Sequence, residues 1–100
     1  MNMQAIMKQA QAMQKEITKI KNEIDSTVFE GKGSMVTVEV MGDKSIKSVK
    51  IAADAKEVIN DDLSYLEDMI MVALNDAFSK IDKTTEEKMG KYSSMMPGLM

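Results

Sequence analysis

Three lysines in the first quarter of the chain have the spacing that a phosphate-binding helix would need. Lys8, Lys15 and Lys19 fall within ~40° of one another around a helix of 3.6 residues per turn, nearly opposite the apolar residues of that segment. Flexible ammonium groups contact phosphate oxygens, which produces salt-sensitive binding that reads little base sequence. The alternative is that these lysines only solvate the outer side of an amphipathic helix, and their pattern alone favours this alternative.

Further lysines follow in the last quarter of the chain, and no arginine occurs anywhere. Lys80 and Lys83 flank an apolar helical face near its end, and Lys88 and Lys91 come after it. Because arginine is the commonest bidentate reader of guanine, its absence favours contacts to the DNA backbone over contacts to bases. The net charge of −3 argues against a strong, indiscriminate nucleic-acid binder, so any such contact must come from a local basic surface.

No set of residues in the sequence has the composition of a catalytic or metal site. Without histidine or cysteine, the chain lacks the commonest general base, the thiol nucleophile, disulfides and thiolate zinc ligands. The adjacent acids Asp61–Asp62 and Glu67–Asp68 point in different directions on a helix and suit its N-terminal dipole. The GKGS segment at 31–34 lacks the spacing of a phosphate loop and is better explained as a hairpin turn. We therefore expect no enzyme, no cofactor, no metal site and no small-molecule substrate.

The lysines of the first quarter belong to a predicted helix at residues 2–26. Its apolar residues repeat every 3.5 positions, which is the spacing of a coiled-coil seam. A 25-residue helix spans ~37 Å, more than the core of a 100-residue globule accommodates, so the repeat predicts a second chain as its partner. We call these residues the apolar stripe: Ile6, Ala10, Met13, Ile17, Ile20 and Ile24.

The middle of the chain predicts a three-stranded antiparallel meander, because its apolar residues alternate with polar ones. In the last strand, Val49 and Ile51 are expected to point inward. Ile46 has the wrong parity for that face, which predicts a bulge beside it. The predicted segments are an extended piece at 27–30, a turn at 31–34, a strand at 35–41, a second turn at 42–44 and a strand at 45–52.

A second long helix is predicted after a polar connection at 53–62, with Asp62 or Ser64 as its N-cap. From 82 to 91 only Met89 is strongly apolar, so this last part is expected to project from the body as a solvated arm. The main apolar face of the helix contains Leu66, Ile70, Ala73, Ala77 and Ile81, with Met71, Leu74 and Phe78 as a second shoulder.

These elements predict one α+β domain at residues 1–92 and a flexible tail at 93–100. Its order is a long N-terminal helix, a three-stranded antiparallel meander and a long C-terminal helix. The last helix is sufficient to cover one face of so small a sheet, which leaves the apolar stripe without a partner in the same chain. We predict a homodimer with protruding helices, whose interface contains the apolar stripe together with Met71 and Phe78.

Four segments form a series along the chain: IMKQAQAMQKEITKIKNEI, VTVEVMGDKSIKSVKIA, LEDMIMVALNDAFSKIDKTTEEKM and MMPGLM. In this order they resemble the first helix, the hairpin, the last helix and the Pro-Gly tail of the YbaB/EbfC family of nucleoid-associated DNA-binding proteins. The resemblance runs from Ile6 to about Leu99, and the MKQAQ and LED…NDA blocks are its most specific parts.

The resemblance implies a homodimer with a shared β-sheet body and protruding helices. It also implies DNA binding with low or modest sequence preference, in nucleoid organisation or gene regulation. We therefore expect a cytoplasmic, nucleoid-associated protein that binds double-stranded DNA and no membrane. The alternative is a protein-interaction module that binds a protein partner through coiled-coil arms and Met-rich surfaces and does not bind DNA. The expected DNA contacts are Lys8, Lys15, Lys19, Lys80, Lys83, Lys88 and Lys91.

Overall fold

The computed structural model describes residues 2–60 and 62–92, except for the side chain of Lys91. It has the predicted α+β order of a long helix, three antiparallel strands and a second long helix. The predicted tail at 93–100 lies outside the described residues. The elements are α1 (Met3–Asp25), β1 (Val28–Gly33), β2 (Val36–Met41), β3 (Ile46–Ile51), α2 (Ala55–Ile59) and α3 (Leu63–Met89), followed by a 3₁₀ turn at Gly90–Tyr92.

Both long helices begin at a side-chain cap. The Asn2 side chain accepts a hydrogen bond from the backbone N–H of Gln4 at 3.0 Å, and the Asp62 carboxylate accepts one from the N–H of Ser64 at 3.1 Å. Asp62 is thus the N-cap of α3, one of the two predicted candidates. The Ser64 hydroxyl also donates to Asp62 and holds the pKa of that carboxyl below its usual value.

The first hairpin turn lies later than the sequence predicted. Gly31 and Gly33 belong to β1, paired with Val38 and Val36, and the chain reverses at Ser34, whose φ is 56°. The prediction of a turn at 31–34 was therefore wrong in its position. These glycines instead allow α3 to pack closely on β1, because a Cβ on either residue would overlap the backbone of α3.

The predicted bulge beside Ile46 is confirmed. Glu39 pairs with Ser48 and Val40 with Ile46, so Lys47 is the extra residue on β3. The shift returns Ile46 to the face that also carries Val49 and Ile51.

The main core lies between α3 and the first two strands. Val36, Val38 and Val40 are fully buried beneath α3. The helix packs on β1 and β2. Val49 and Ile51 were expected to point inward, and they do lie on the helix side of the sheet, yet they stay exposed because α3 does not reach β3. The buried residues of α3 in this core are Met69, Ala73, Ala77 and Ile81.

The last part of α3 packs against α1, contrary to the prediction that residues 82–91 project as a solvated arm. Met89 is 1% exposed in a second apolar cluster with Ile17 and Ile24. One apolar residue is sufficient here because α1 supplies most of the other side chains of the cluster, and Phe29 and Tyr92 pack against it as well. The second half of the apolar stripe therefore has a partner within the chain, and the expectation that the whole stripe lacks one was wrong.

The first half of α1 extends beyond α3. The molecule measures 71 × 19 × 15 Å, whereas α3, with 27 residues, is only ~41 Å long. Residues 3–12 of α1 are all exposed, so this half projects from the body of the molecule. Among residues 2–60 and 62–92, no helix combines the length and hydropathy that crossing a membrane demands.

Candidate nucleic-acid interface

The lysines at 8, 15 and 19 lie together on one exposed face of α1, as the sequence predicted, and we call this the lysine face. All three side chains are exposed, and within the described part of the chain none of them forms an ion pair. The other polar residues of α1 within ~60° of the middle of this face are, by the helical repeat, Gln4, Gln11, Asn22 and Glu23. The face thus presents ammonium and amide donors, and the Glu23 carboxylate lies one turn beyond Lys19.

Lys80, by contrast, is already engaged within the chain. Its ammonium group donates to the carbonyl oxygen of Glu30 at 2.8 Å and lies 3.3 Å from the Asp76 carboxylate. A phosphate would have to compete with both partners. The geometry therefore assigns Lys80 to the contact between α3 and β1, although the sequence offered no sign of the long-range partner.

The other lysines of α3 do not form one surface. Lys83 and Lys88 are exposed and without an ion pair among the described residues. Five positions along a helix correspond to ~140°, so the two side chains leave α3 in different directions. The side chain of Lys91, the last predicted contact, lies outside the described residues.

Where α1, the turn after β2 and α3 meet, charged side chains pair with each other. Lys21 lies 2.8 Å from Asp25, and Lys44 lies 3.2 Å from Asp82. The hydrogen bond to Asp25 is the main reason why the pKa of Lys21 is raised. The i,i+4 spacing of the first pair is visible in the sequence, whereas the second joins distant segments. Within residues 2–60 and 62–92, no three acidic side chains are grouped so as to hold a metal ion.

The outer edge of β1 is closed by side chains of α3. The Asp76 carboxylate accepts a hydrogen bond from the backbone N–H of Lys32 at 3.0 Å, next to the contact of Lys80 with Glu30. The Lys32 N–H and the neighbouring Lys80 together hold the pKa of Asp76 below its usual value. Another strand cannot pair with β1 here without displacing these contacts.

The opposite edge of the sheet carries exposed apolar side chains, two of which, Val49 and Ile51, were expected to point inward. We call Ile46, Val49 and Ile51 the open sheet face, and these residues are 46–51% exposed. On α3, Met71 is 60% exposed and Phe78 is half-buried. The signal in the sequence was the number of strands, since one helix is too narrow to cover three. The expectation that the last helix covers the whole face was therefore wrong.

Comparison with known proteins identifies, over nearly all of the chain, the family that the sequence segments resemble. The family model of the YbaB/EbfC DNA-binding family matches residues 1–96. The chain is 46% identical to a nucleoid-associated protein of Ligilactobacillus salivarius (strain UCC118), an alignment covering 99% of this chain and 95% of that protein. It is 44% identical to a nucleoid-associated protein of Lactococcus lactis subsp. cremoris (strain MG1363), with 97% and 98% covered.

A solved structure shares the fold. The crystal structure of an uncharacterized protein from Helicobacter pylori superimposes with a TM-score of 0.70 at 20% sequence identity, covering 87% of this chain and 91% of that one. At this identity the likeness concerns the fold alone. The family match and the relatives above go further, and the chain belongs to the YbaB/EbfC DNA-binding family.

Proposed function

We propose that this protein is a homodimer that binds double-stranded DNA through backbone phosphates, with low sequence specificity, and that it acts in nucleoid organisation or gene regulation. The observation that carries the proposal is the lysine face, whose three lysines are exposed and form no ion pair within the described part of the chain. The family match supports DNA as the partner. The relatives named nucleoid-associated proteins support a location at the nucleoid.

The charge distribution favours a local contact over binding by the whole surface. The chain carries −3 overall, so its average field repels DNA. Residues 8–19 span ~16 Å along α1, within which the lysine face holds three positive charges. Each lysine that neutralises a phosphate releases condensed counterions, so binding through this face should be weak at physiological salt and strong at low salt.

The two edge strands of the sheet differ in a way that favours a dimer. Side chains of α3 occupy the edge of β1, whereas β3 is the other outer strand and carries the open sheet face beside it. Burial of exposed apolar area is the main favourable contribution to such an association. In our proposal a second chain therefore covers the open sheet face together with Met71 and Phe78.

The apolar stripe makes a smaller contribution to this proposal than the sequence suggested. Ile17 and Ile24 are buried in their own chain, and Ile20 packs beside them. A partner would reach these residues only if α1 separated from α3. Ile6, Ala10 and Met13 remain accessible, and their part in a dimer interface stays a prediction.

A titration of duplex DNA at several salt concentrations tests the proposed DNA contact. Phosphate binding predicts that the logarithm of the affinity falls linearly with the logarithm of salt concentration, by about 0.9 for each phosphate contacted. A protein-interaction module without DNA binding predicts no shift of duplex DNA even at low salt. Two duplexes of unrelated sequence should bind within about threefold of each other if phosphates dominate.

The dimer is tested by placing a charge on the open sheet face. Val49→Glu should convert the dimer to a monomer at micromolar concentration, because a buried carboxylate without a partner is strongly unfavourable. Lys50→Glu is the matched control, since Lys50 is the next residue on β3 and points to the polar side of the sheet. Sedimentation equilibrium measures both variants. A wild-type monomer, or a Val49→Glu variant that stays dimeric, would contradict the proposed interface.

A further inference from the structure

The projecting half of α1 carries an apolar strip that the rest of the described chain leaves uncovered. We define the arm strip as Met3, Ile6, Ala10 and Met13, which lie on one side of the helix. Met3 is 71% and Ile6 42% exposed, whereas Met13 is half-buried beside the second apolar cluster. The cover that α3 provides for the apolar stripe therefore ends at Met13, although the stripe itself continues.

The spacing of the arm strip makes it complementary to a second copy of itself. Its residues follow one another at intervals of three, four and three positions, so the strip reads the same in both directions. When two such helices lie antiparallel, with position 8 of each at the two-fold axis, Met3 faces the partner's Met13 and Ile6 faces the partner's Ala10. A large side chain of the central pair then meets a small one, which allows the helices to pack closely.

The surroundings of the strip favour the same occupant. A repeat of 3.5 residues suits one facing helix, and α3 supplies that helix only as far as Met13. Lys8 is the only charged residue between positions 3 and 13, and it lies on the lysine face, so two strips meet without repulsion between like charges. The partner's Met3 reaches Met13, where the cover by α3 begins, so the two contacts adjoin along one stripe.

We propose that the arm strips of two molecules pair antiparallel, and that this contact holds two DNA duplexes together. The pairing depends on the arm strip alone, whereas the bridging of duplexes rests on the proposed function. In the pair, the Ile24 residues of the two chains lie ~48 Å apart along the helices, so the two bodies stand at opposite ends. Their open sheet faces cannot meet in this arrangement, and the contact therefore joins chains of different dimers.

Pairing directs the two lysine faces to opposite sides of the contact. Each lysine face lies nearly opposite the arm strip of its own helix, so the ammonium groups point away from the partner. One duplex can then bind on each side, separated by two helices of ~10 Å diameter each. The lysine face alone would coat a duplex, whereas paired arms link one duplex to another.

The contact is small, so its effect depends on the number of arms that pair. Four apolar side chains from each arm bury far less than the ~1,200 Å² of a stable complex. Free dimers should therefore pair weakly. Dimers arrayed along two duplexes should pair cooperatively, because each paired arm raises the effective concentration of the next.

Cysteine pairing tests the register, because the chain has no cysteine of its own. Chains with Ile6→Cys and chains with Ala10→Cys are mixed in equal amounts with a mild oxidant, and Lys8→Cys on the lysine face is the matched control. We expect the mixed disulfide to form at least about tenfold faster than a disulfide between identical chains, because only opposed side chains reach disulfide distance. Mass spectrometry of the linked peptides identifies each product.

Other patterns of pairing would overturn the inference. Faster pairing between identical chains would mean a parallel contact, and random proportions would mean that the arms have no fixed register. Disulfides that form no faster than in the Lys8→Cys control would show that a second copy does not occupy the strip, which would leave it to a partner of another kind.

A second measurement separates bridging from binding. The Met3→Gln/Ile6→Gln variant keeps the net charge and the lysine face, so it should bind one duplex within about twofold of the unsubstituted chain. On beads that carry one duplex, it should retain at least about tenfold less of a second, labelled duplex, because many weak contacts are lost together. Leu63→Gln/Val72→Gln is the matched control, since these residues of α3 are 62% and 56% exposed and lie outside the strip.

The outcomes distinguish this inference from the proposed function. Equal retention of the second duplex by the two variants, or an unsubstituted chain that binds one duplex and links no second, would overturn the bridging. A chain that binds no duplex at all would contradict the proposed function, and the cysteine experiment would still decide whether the arms pair.

Discussion

The double substitution Lys15→Glu/Lys19→Glu is expected to weaken binding to duplex DNA at low salt by at least about 100-fold. Both side chains lie on the lysine face and have no acidic partner in the described part of the chain, so each is available to a phosphate. In a dimer the substitution removes four ammonium groups and introduces four carboxylates. If all four contact phosphates, the slope of log affinity against log salt should fall by about 4.

The control must carry the same change of net charge at a different place. Lys50→Glu/Lys56→Glu does so on β3 and α2, where both lysines are exposed. We expect this variant to change affinity by less than about fivefold, because neither lysine lies on the lysine face and each would act on the bound phosphates only through the long-range field of the protein. Equal losses in the two variants would mean that overall charge, and no particular face of α1, governs DNA binding.

Local periodicity was sufficient to predict the element order, because each element carries its own pattern. The 3.5-residue repeat defined α1, and the alternating valines at 36, 38 and 40 defined the buried face of β2. Even the bulge was predictable, since the parity of Ile46 conflicts with that of Val49. The lysine face was predicted for the same reason, as it depends only on spacing along one helix.

Contacts between distant segments were not predictable, because nothing in a single sequence indicates which surfaces meet. Met89 stands alone in a polar segment, and its burial is explained by the cluster that it forms with Ile17 and Ile24 of α1. Lys80 has the same appearance in the sequence as Lys83, yet Lys80 donates to the Glu30 carbonyl, whereas Lys83 forms no ion pair among the described residues. For the same reason Val49 and Ile51 were expected to be covered, although they are exposed.

Gly31 is the clearest example of a residue explained by a distant contact, and Gly31→Ala is expected to destabilise the fold by about 3 kcal/mol or more. A Cβ at this position would overlap the carbonyl oxygen of Ala73 and lie 2.7 Å from the backbone nitrogen of Ala77. These are backbone atoms of α3, which cannot rotate away as a side chain can. The helix would have to lift from β1, separating Ala73 and Ala77 from the buried valines of β2.

Gly90→Ala provides the matched control for this prediction. It makes the same chemical change at a helical φ of −56°, and its Cβ would meet nothing within 4 Å. We expect it to be neutral or to stabilise the chain by up to ~1 kcal/mol through the unfolded state. Urea unfolding followed by circular dichroism compares the variants at one fixed protein concentration, because dimerisation makes the midpoint depend on concentration. A Gly31→Ala variant as stable as Gly90→Ala would mean that α3 is not held against β1, which would also remove the reason for assigning Lys80 to that contact.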